Sequence, residues 1–298
     1  MTDAWPALPL VEWQDTRDTL HLWTQIVGKT RLGLSPTENH WWHVPLYVNA
    51  VGLTTSLMPY RDLAVEVTFD FTRHVLVLRT TAGGVRELAL EPRSVADFFA
   101  AYCAALVDLG IEVEINPMPT EIPGAVPFDA DVVHASYDPA AATAFWRSLI
   151  ATDRVLRRFR GEFRGKASPV HLFWGAFDLA VTRFSGRSAP VHPGGVPHCP
   201  DWVMEEAYDQ EVSSCGYWPG GADEGVFYAY AYPEPPGFRA ASPGPSAAHW
   251  DDALAEFVLP YADVRRAEDP DALLLDFLRG VHAAASSTWS VGPVGQEP

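Results

Sequence analysis

Residues 35–47 read SPTENHWWHVPLY and residues 168–178 read SPVHLFWGAFD. Each stretch opens on Ser-Pro and sets histidine near tryptophan ahead of an apolar run. Imidazole changes charge close to neutral pH, so His43 and His171 are candidates for acid–base work. With His40 they also offer three nitrogens, a set that with one open position suits zinc or iron. That spacing is unspecific: it is not HExxH, and no His-x-Asp/Glu pair completes a facial triad. Asp178 sits inside LFWGAFDLAV. A carboxylate left unpaired in such a run costs several kcal/mol on burial, so a partner is expected among Arg183, Arg187 and the histidines. Asp178 then either orients a catalytic histidine or forms a structural Asp–Arg pair.

Around these groups lie side chains able to hold a ligand. Arg183 and Arg187 flank the turn RFSGR, and two guanidiniums there can hold a carboxylate or phosphate bidentately. If 43–55 is one strand, His43, Tyr47 and Asn49 share a face, against Val44, Leu46, Val48 and Ala50. Trp41, Trp42, Tyr47 and Trp174 would wall a pocket. A bulge at Gly175 would bring Asp178 onto the face of His171. The runs YWPGG (217–221) and FYAYAY (227–232) are aromatic, suited to cross-strand packing or to stacking on a planar ligand. His192 and His198, beside Cys199 in a Pro/Gly loop, read as solvated. No GxGxxG, P-loop or GxSxG occurs.

The elements that must position these residues follow from periodicity. Leu20, Trp23, Ile26 and Val27 give residues 14–32 one apolar helical face. Residues 63–71 and 74–80 alternate and predict a hairpin, followed by a strand over 85–90. Ser94 caps a helix that Gly110 stops, and 111–115 reads as a strand. Five prolines make 117–139 a connection rather than an element. A long helix opens at Asp138-Pro139. Strands follow over 169–184, 211–217, 225–232 and 255–259, and a last helix opens at Asp269-Pro270.

Both halves therefore read helix, strands, helix. Gly28-x-x-Arg31-x-x-x-Ser35-Pro36 matches Gly161-x-x-Arg164-x-x-x-Ser168-Pro169 without a gap. A three-residue insertion would then set Ala50-Val51 on Ala180-Val181. The expected fold is α+β: two pseudo-repeats, 1–116 and 138–290, each a mostly antiparallel sheet with flanking helices, joined by 117–137 and followed by a tail, 291–298. A pseudo-symmetric junction is a natural place for a concave site.

The composition, 48% hydrophobic with 11 Trp in 298 residues, can bury a sizeable core. The net charge of −17 and the lack of a long basic run argue against nucleic acid and anionic membranes as partners. The N-terminus has no signal-peptide pattern, and no window is apolar for a span. Three cysteines without a CxxC predict neither a disulfide framework nor a zinc ribbon. A cytoplasmic protein is expected.

The stretches WPALPLVEWQDTRDTLHLWTQIVGK (5–29), SPTENHWWHVPLYV, SPVHLFWGAFDLAVTRFSGR (168–187) and YAYPEPPGF (230–238) resemble a family of bacterial proteins catalogued as a domain of unknown function, number 5996. The resemblance covers nearly the whole chain and implies a full-length member. It brings no activity and no catalytic residues. The residues themselves suggest an enzyme acting on a small polar molecule, anionic if Arg183 and Arg187 anchor it. In that reading His43, His171 and Asp178 do the chemistry, and Trp41, Trp42, Tyr47, Asn49 and Trp174 bind. A non-catalytic binding or scaffold protein, and a metalloenzyme with zinc or iron on His40, His43 and His171, stay open beside it.

Overall fold

The computed structural model describes residues 4–289, so the expected tail 291–298 lies outside the described residues. The first half runs α1 (Leu10–Leu34), β1 (Tyr47–Val48), β2 (Gly52–Thr54), β3 (Met58–Tyr60), β4 (Leu63–Asp70), β5 (Val75–Thr80), β6 (Val85–Ala89) and α2 (Val95–Asp108). The second runs α3 (Pro139–Gly161), β7 (His171–Phe173), β8 (Asp178–Ser188), α4 (Asp201–Ala207), β9 (Gln210–Trp218), β10 (Val226–Tyr232), β11 (His249–Asp251), β12 (Glu256–Pro260), α5 (Tyr261–Arg266) and α6 (Pro270–Ala285). Each half builds an antiparallel sheet, ordered β1-β2-β4-β5-β6 with β3 on β4, and β11-β12-β10-β9-β8-β7. The fold is α+β, and the layout fits two pseudo-repeats. The sheets touch where Leu46 and Leu172 exchange both backbone hydrogen bonds, at 2.9 and 2.8 Å.

The helix starts are where capping chemistry puts them. Ser94 Oγ accepts from the Asp97 amide, and Asp138 and Asp269 cap helices whose first residue is proline. Gly110, at φ +73°, takes the left-handed step after α2. Residues 111–115 pair with no strand. Residues 43–55 are not one strand either. Asn49 Oδ1 accepts from the amides of Val51 and Gly52, at 3.0 and 2.8 Å, and folds the segment into the β1–β2 hairpin. Ala50-Val51 therefore lies in a turn whereas Ala180-Val181 lies within β8, so the downstream part of the repeat alignment does not hold. The equivalent of the Asn49–Gly52 turn is residues 174–177, between the paired Phe173 and Asp178.

α1 differs most from its expected one-sided pattern. Every residue from Leu22 to Arg31 is buried, because both halves pack around this helix. Trp23 stacks on Phe98 of α2 at 4.5 Å, and Trp13 meets Phe145 of α3 at 5.3 Å. One hydrophobic core runs through both halves. Under the second sheet, Leu179, Val181, Cys215, Tyr217, Phe227 and Leu259 are buried beneath α3 and α6. The opposite face of that sheet carries the site.

Candidate functional site

Strand alternation sorts the second sheet. Directly paired residues share a face, and the pairs Phe173–Asp178, His171–Ala180, Ala180–Gly216, Gly216–Tyr228 and Thr182–Ser214 all lie away from the helices. With Tyr230 and Glu256 they floor a cavity of about 420 Å³. Its roof comes from elsewhere: His40, Trp41, Trp42 and Val44 of the first half, Thr120 and Glu121 of the connection, and Val203, Met204, Ala207 and Tyr208 in and just after α4. Gly216 has a specific part. A Cβ there would come within 2.6 Å of the Tyr228 hydroxyl, so its absence lets the phenol cross β9 and donate to Asp178 on β8.

The roof is tied down by the polar residues of α1. Gln25 makes a two-way amide pair with Thr120, Nε2 to the carbonyl at 2.9 Å and the Thr120 amide to Oε1 at 2.8 Å. The Lys29 ammonium donates to the Met118 carbonyl, and Arg31 Nε to the His43 carbonyl at 2.7 Å. His21 Nε2 lies 2.9 Å from both the Trp174 and Gly175 carbonyls. Trp41 Nε1 donates to the Val203 carbonyl, fastening the 39–41 turn to α4. His40 (φ 54°), Trp41 (φ 61°) and Glu121 (φ 65°) all hold left-handed backbone. Each such non-glycine residue costs on the order of 1 kcal/mol or more, and such strain gathers at functional sites.

The electrostatics are dominated by three carboxyl groups among rings. Burial pushes Asp178 up to about 6, against the Tyr228 hydrogen bond that favours its charged form. Burial, and then the neighbouring Asp178, raise Glu121 to about 7. Burial with Asp178 and Asp251 raises Glu256 to about 8. His171 is 1% exposed, and burial followed by the Arg31 charge lowers it to about 3. It is neutral at physiological pH, and its Nδ1 has no hydrogen-bond partner. Cys199 also lines the cavity, but burial lifts its thiol to about 11, so it is not a ready nucleophile. No lysine or arginine is among the lining residues.

Of the residues singled out in the sequence, the cavity brings together His40, Trp41, Trp42, His171, Trp174 and Asp178. Asp178 joins His171 through the 174–177 turn rather than through a bulge. The others lie elsewhere. His43 Nδ1 accepts from the Glu38 amide and its carbonyl holds Arg31, so it secures the turn before β1. Tyr47 lies under the Arg31 guanidinium at 5.2 Å, and the Asn49 side chain is consumed by its own turn. Arg183 lies on the helix side of β8. It packs on the Phe159 ring at 3.5 Å and donates to the Phe159 carbonyl. Arg187 is exposed and paired with Glu211. The guanidiniums thus cannot anchor a ligand beside His171, and Asp178 pairs with a tyrosine rather than an arginine. Among the described residues no three His, Cys, Asp or Glu side chains are grouped to hold a metal ion, so His40, His43 and His171 do not form the expected ligand set.

Sequence reasoning missed Glu121, Glu256 and Tyr208. The first sits in a proline-rich connection and the second opens a strand, positions that read as solvated. The FYAYAY run did carry a signal: Tyr228 and Tyr230 face the cavity while Phe227 enters the core.

The fold and site define an α+β protein of two antiparallel sheets with an aromatic, carboxyl-lined cavity on the open face of the second. The family described as "Family of unknown function (DUF5996)" matches residues 5–292, and the chain belongs to that family. No curated protein and no solved structure matches it. No helix among the described residues is long and apolar enough to cross a membrane.

Proposed function

We propose that this protein binds a small organic molecule in the cavity on the open face of the second sheet. The observation that carries the reading is a concave space of about 420 Å³ walled by rings, with the buried His171 among its lining residues. Pockets of this size with few convergent polar groups suit a ligand. The three cysteines are free, which fits a reducing, cytoplasmic setting. The charge of −17 disfavours nucleic acid and anionic membranes as partners.

Ala180→Phe tests this. Ala180 lies on the cavity floor at 4% exposure, so a ring there projects into the void. In a thermal-shift screen of small aromatic compounds, hits on the wild type should vanish in the variant. Its own melting temperature should hold or rise, because filling a void stabilises. Hits that persist in Ala180→Phe would place binding elsewhere.

A second reading, acid–base catalysis in the same cavity, is favoured by Asp178 and Glu121, whose pKa values of about 6 and 7 suit proton exchange near neutrality. It requires that a bound compound be recovered chemically changed from the wild type and unchanged from Asp178→Asn.

A further inference from the structure

The cavity's polar groups have one sign. Asp178 rises from the floor on β8, Glu256 from the start of β12 and Glu121 from the roof, so carboxyl groups approach from three separate elements. No lysine or arginine lines the space to offset them. The nearby Lys166 ammonium is held by His40 Nε2 and Gln210 Oε1. Between the carboxyl groups stand electron-rich rings, Trp41, Trp174, Trp218 and Tyr230 among them, while the Trp42 ring already carries the Lys166 ammonium 5.6 Å from its centroid. An anion here would meet repulsion and no donor of positive charge. A cation would meet carboxylates and ring faces together, the two groups that bind ammonium in a partly dry site.

We propose that the ligand is a protonated organic amine on an aromatic or apolar frame, its N–H groups shared by Asp178, Glu121 and Glu256 and its frame set against the tryptophans. This rests on the reading of the cavity as a small-molecule site and names the chemical class that site selects. It also replaces the anionic ligand anticipated from Arg183 and Arg187, whose guanidiniums are held by Phe159 and Glu211.

Three probes of similar shape test it by titration calorimetry at neutral pH: phenethylamine, phenethyl alcohol and hydrocinnamate. The amine should bind wild-type protein at least about tenfold more tightly than the alcohol, and hydrocinnamate should not bind. Glu256→Gln and Asp178→Asn keep side-chain volume and remove a carboxyl group able to ionise beside the ammonium. Each should bring the amine close to the alcohol in affinity while leaving the alcohol's own affinity in place, which a merely misfolded variant would not do. If the alcohol or hydrocinnamate binds wild type as tightly as the amine, the amine class is wrong and the pocket stands. If none of the three binds and the Ala180→Phe screen finds no cavity ligand, both readings fall.

Discussion

Replacing Gly28 by alanine is expected to lower the stability of the protein by about 2 kcal/mol. Gly28 lies in the fully buried stretch of α1, and a Cβ there would come within 2.2 Å of the Trp174 ring. Alanine favours a helix over glycine by about 1 kcal/mol, but overpacking of this severity costs more than that gain. The indole would have to leave α1, losing its hydrogen bond to the Val44 carbonyl, 2.9 Å long, and with it one wall of the cavity. Chemical denaturation of four proteins separates the contributions. In a Trp174→Ala background, Gly28→Ala should be neutral or stabilising. An equal cost in both backgrounds would mean that the contact with Trp174 is not what keeps this position glycine.

The repeat supplies a control. Gly161 matches Gly28 in the sequence, yet a Cβ at Gly161 would meet nothing within 4 Å. Gly161→Ala should therefore leave stability unchanged or raise it by up to about 1 kcal/mol. Two glycines matched by alignment thus carry opposite expectations, because only one faces a tryptophan.

Stability should also decline as pH rises from 6.5 to 8, by about 1 kcal/mol once the opposing histidines are counted. Glu121 and Glu256 move from 4.5 in the unfolded chain to about 7 and 8 in the fold, and Asp178 from 3.8 to about 6. The folded state then keeps protons that the unfolded chain has released. Their contribution is whole below the unfolded values and is lost as pH rises through the folded ones, at about 1.4 kcal/mol per proton per unit. Buried histidines act in the opposite sense. His171, His21 and His282 fall from 6.5 to about 3, 4 and 4, so their contribution is lost as pH falls below 6.5. The two sets nearly cancel between about 4.5 and 6, leaving a plateau with a decline on each side.

The neighbours of each group matter to this balance. Glu256 faces Asp178 and Asp251, and Glu121 faces Asp178 and Cys199. Asp178 takes the Tyr228 hydroxyl, Tyr208 lies close to all three carboxyl groups, and His171 feels Arg31. Denaturation in a pH series reads the effect, and Glu256→Gln should flatten most of the decline above 6.5. A wild-type profile that stays level or climbs between 6.5 and 8 would mean that these carboxyl groups ionise normally in the fold. A bound amine should flatten the same limb, since its charge favours the carboxylates.

Local chemistry determined much of this protein from the sequence alone. The caps at Ser94, Asp138 and Asp269, the stop at Gly110 and the alternation of 63–80 fixed helices and strands through interactions only a few residues long. The α+β class and the helix–strands–helix order of each half follow from those signals. So did the two histidine–tryptophan stretches as places to look: His40, Trp41, Trp42, His171, Trp174 and Asp178 do meet.

Tertiary packing decided the rest, because it depends on which faces meet. Alternation predicts two faces for a strand but not which one the helices cover. Arg183 and Asp178 are five residues apart on β8, so they point to opposite sides of the sheet, one into the core and one into the cavity. The Asn49 turn divided the expected strand over 43–55, while the turn before β1 holds His43 against Glu38 and Arg31, and Tyr47 lies under the Arg31 guanidinium. The carboxyl groups Glu121 and Glu256, 135 residues apart, became partners of Asp178 only when the roof closed over the sheet. Their chemistry comes from desolvation, a property of the folded surroundings that no spacing along the chain records.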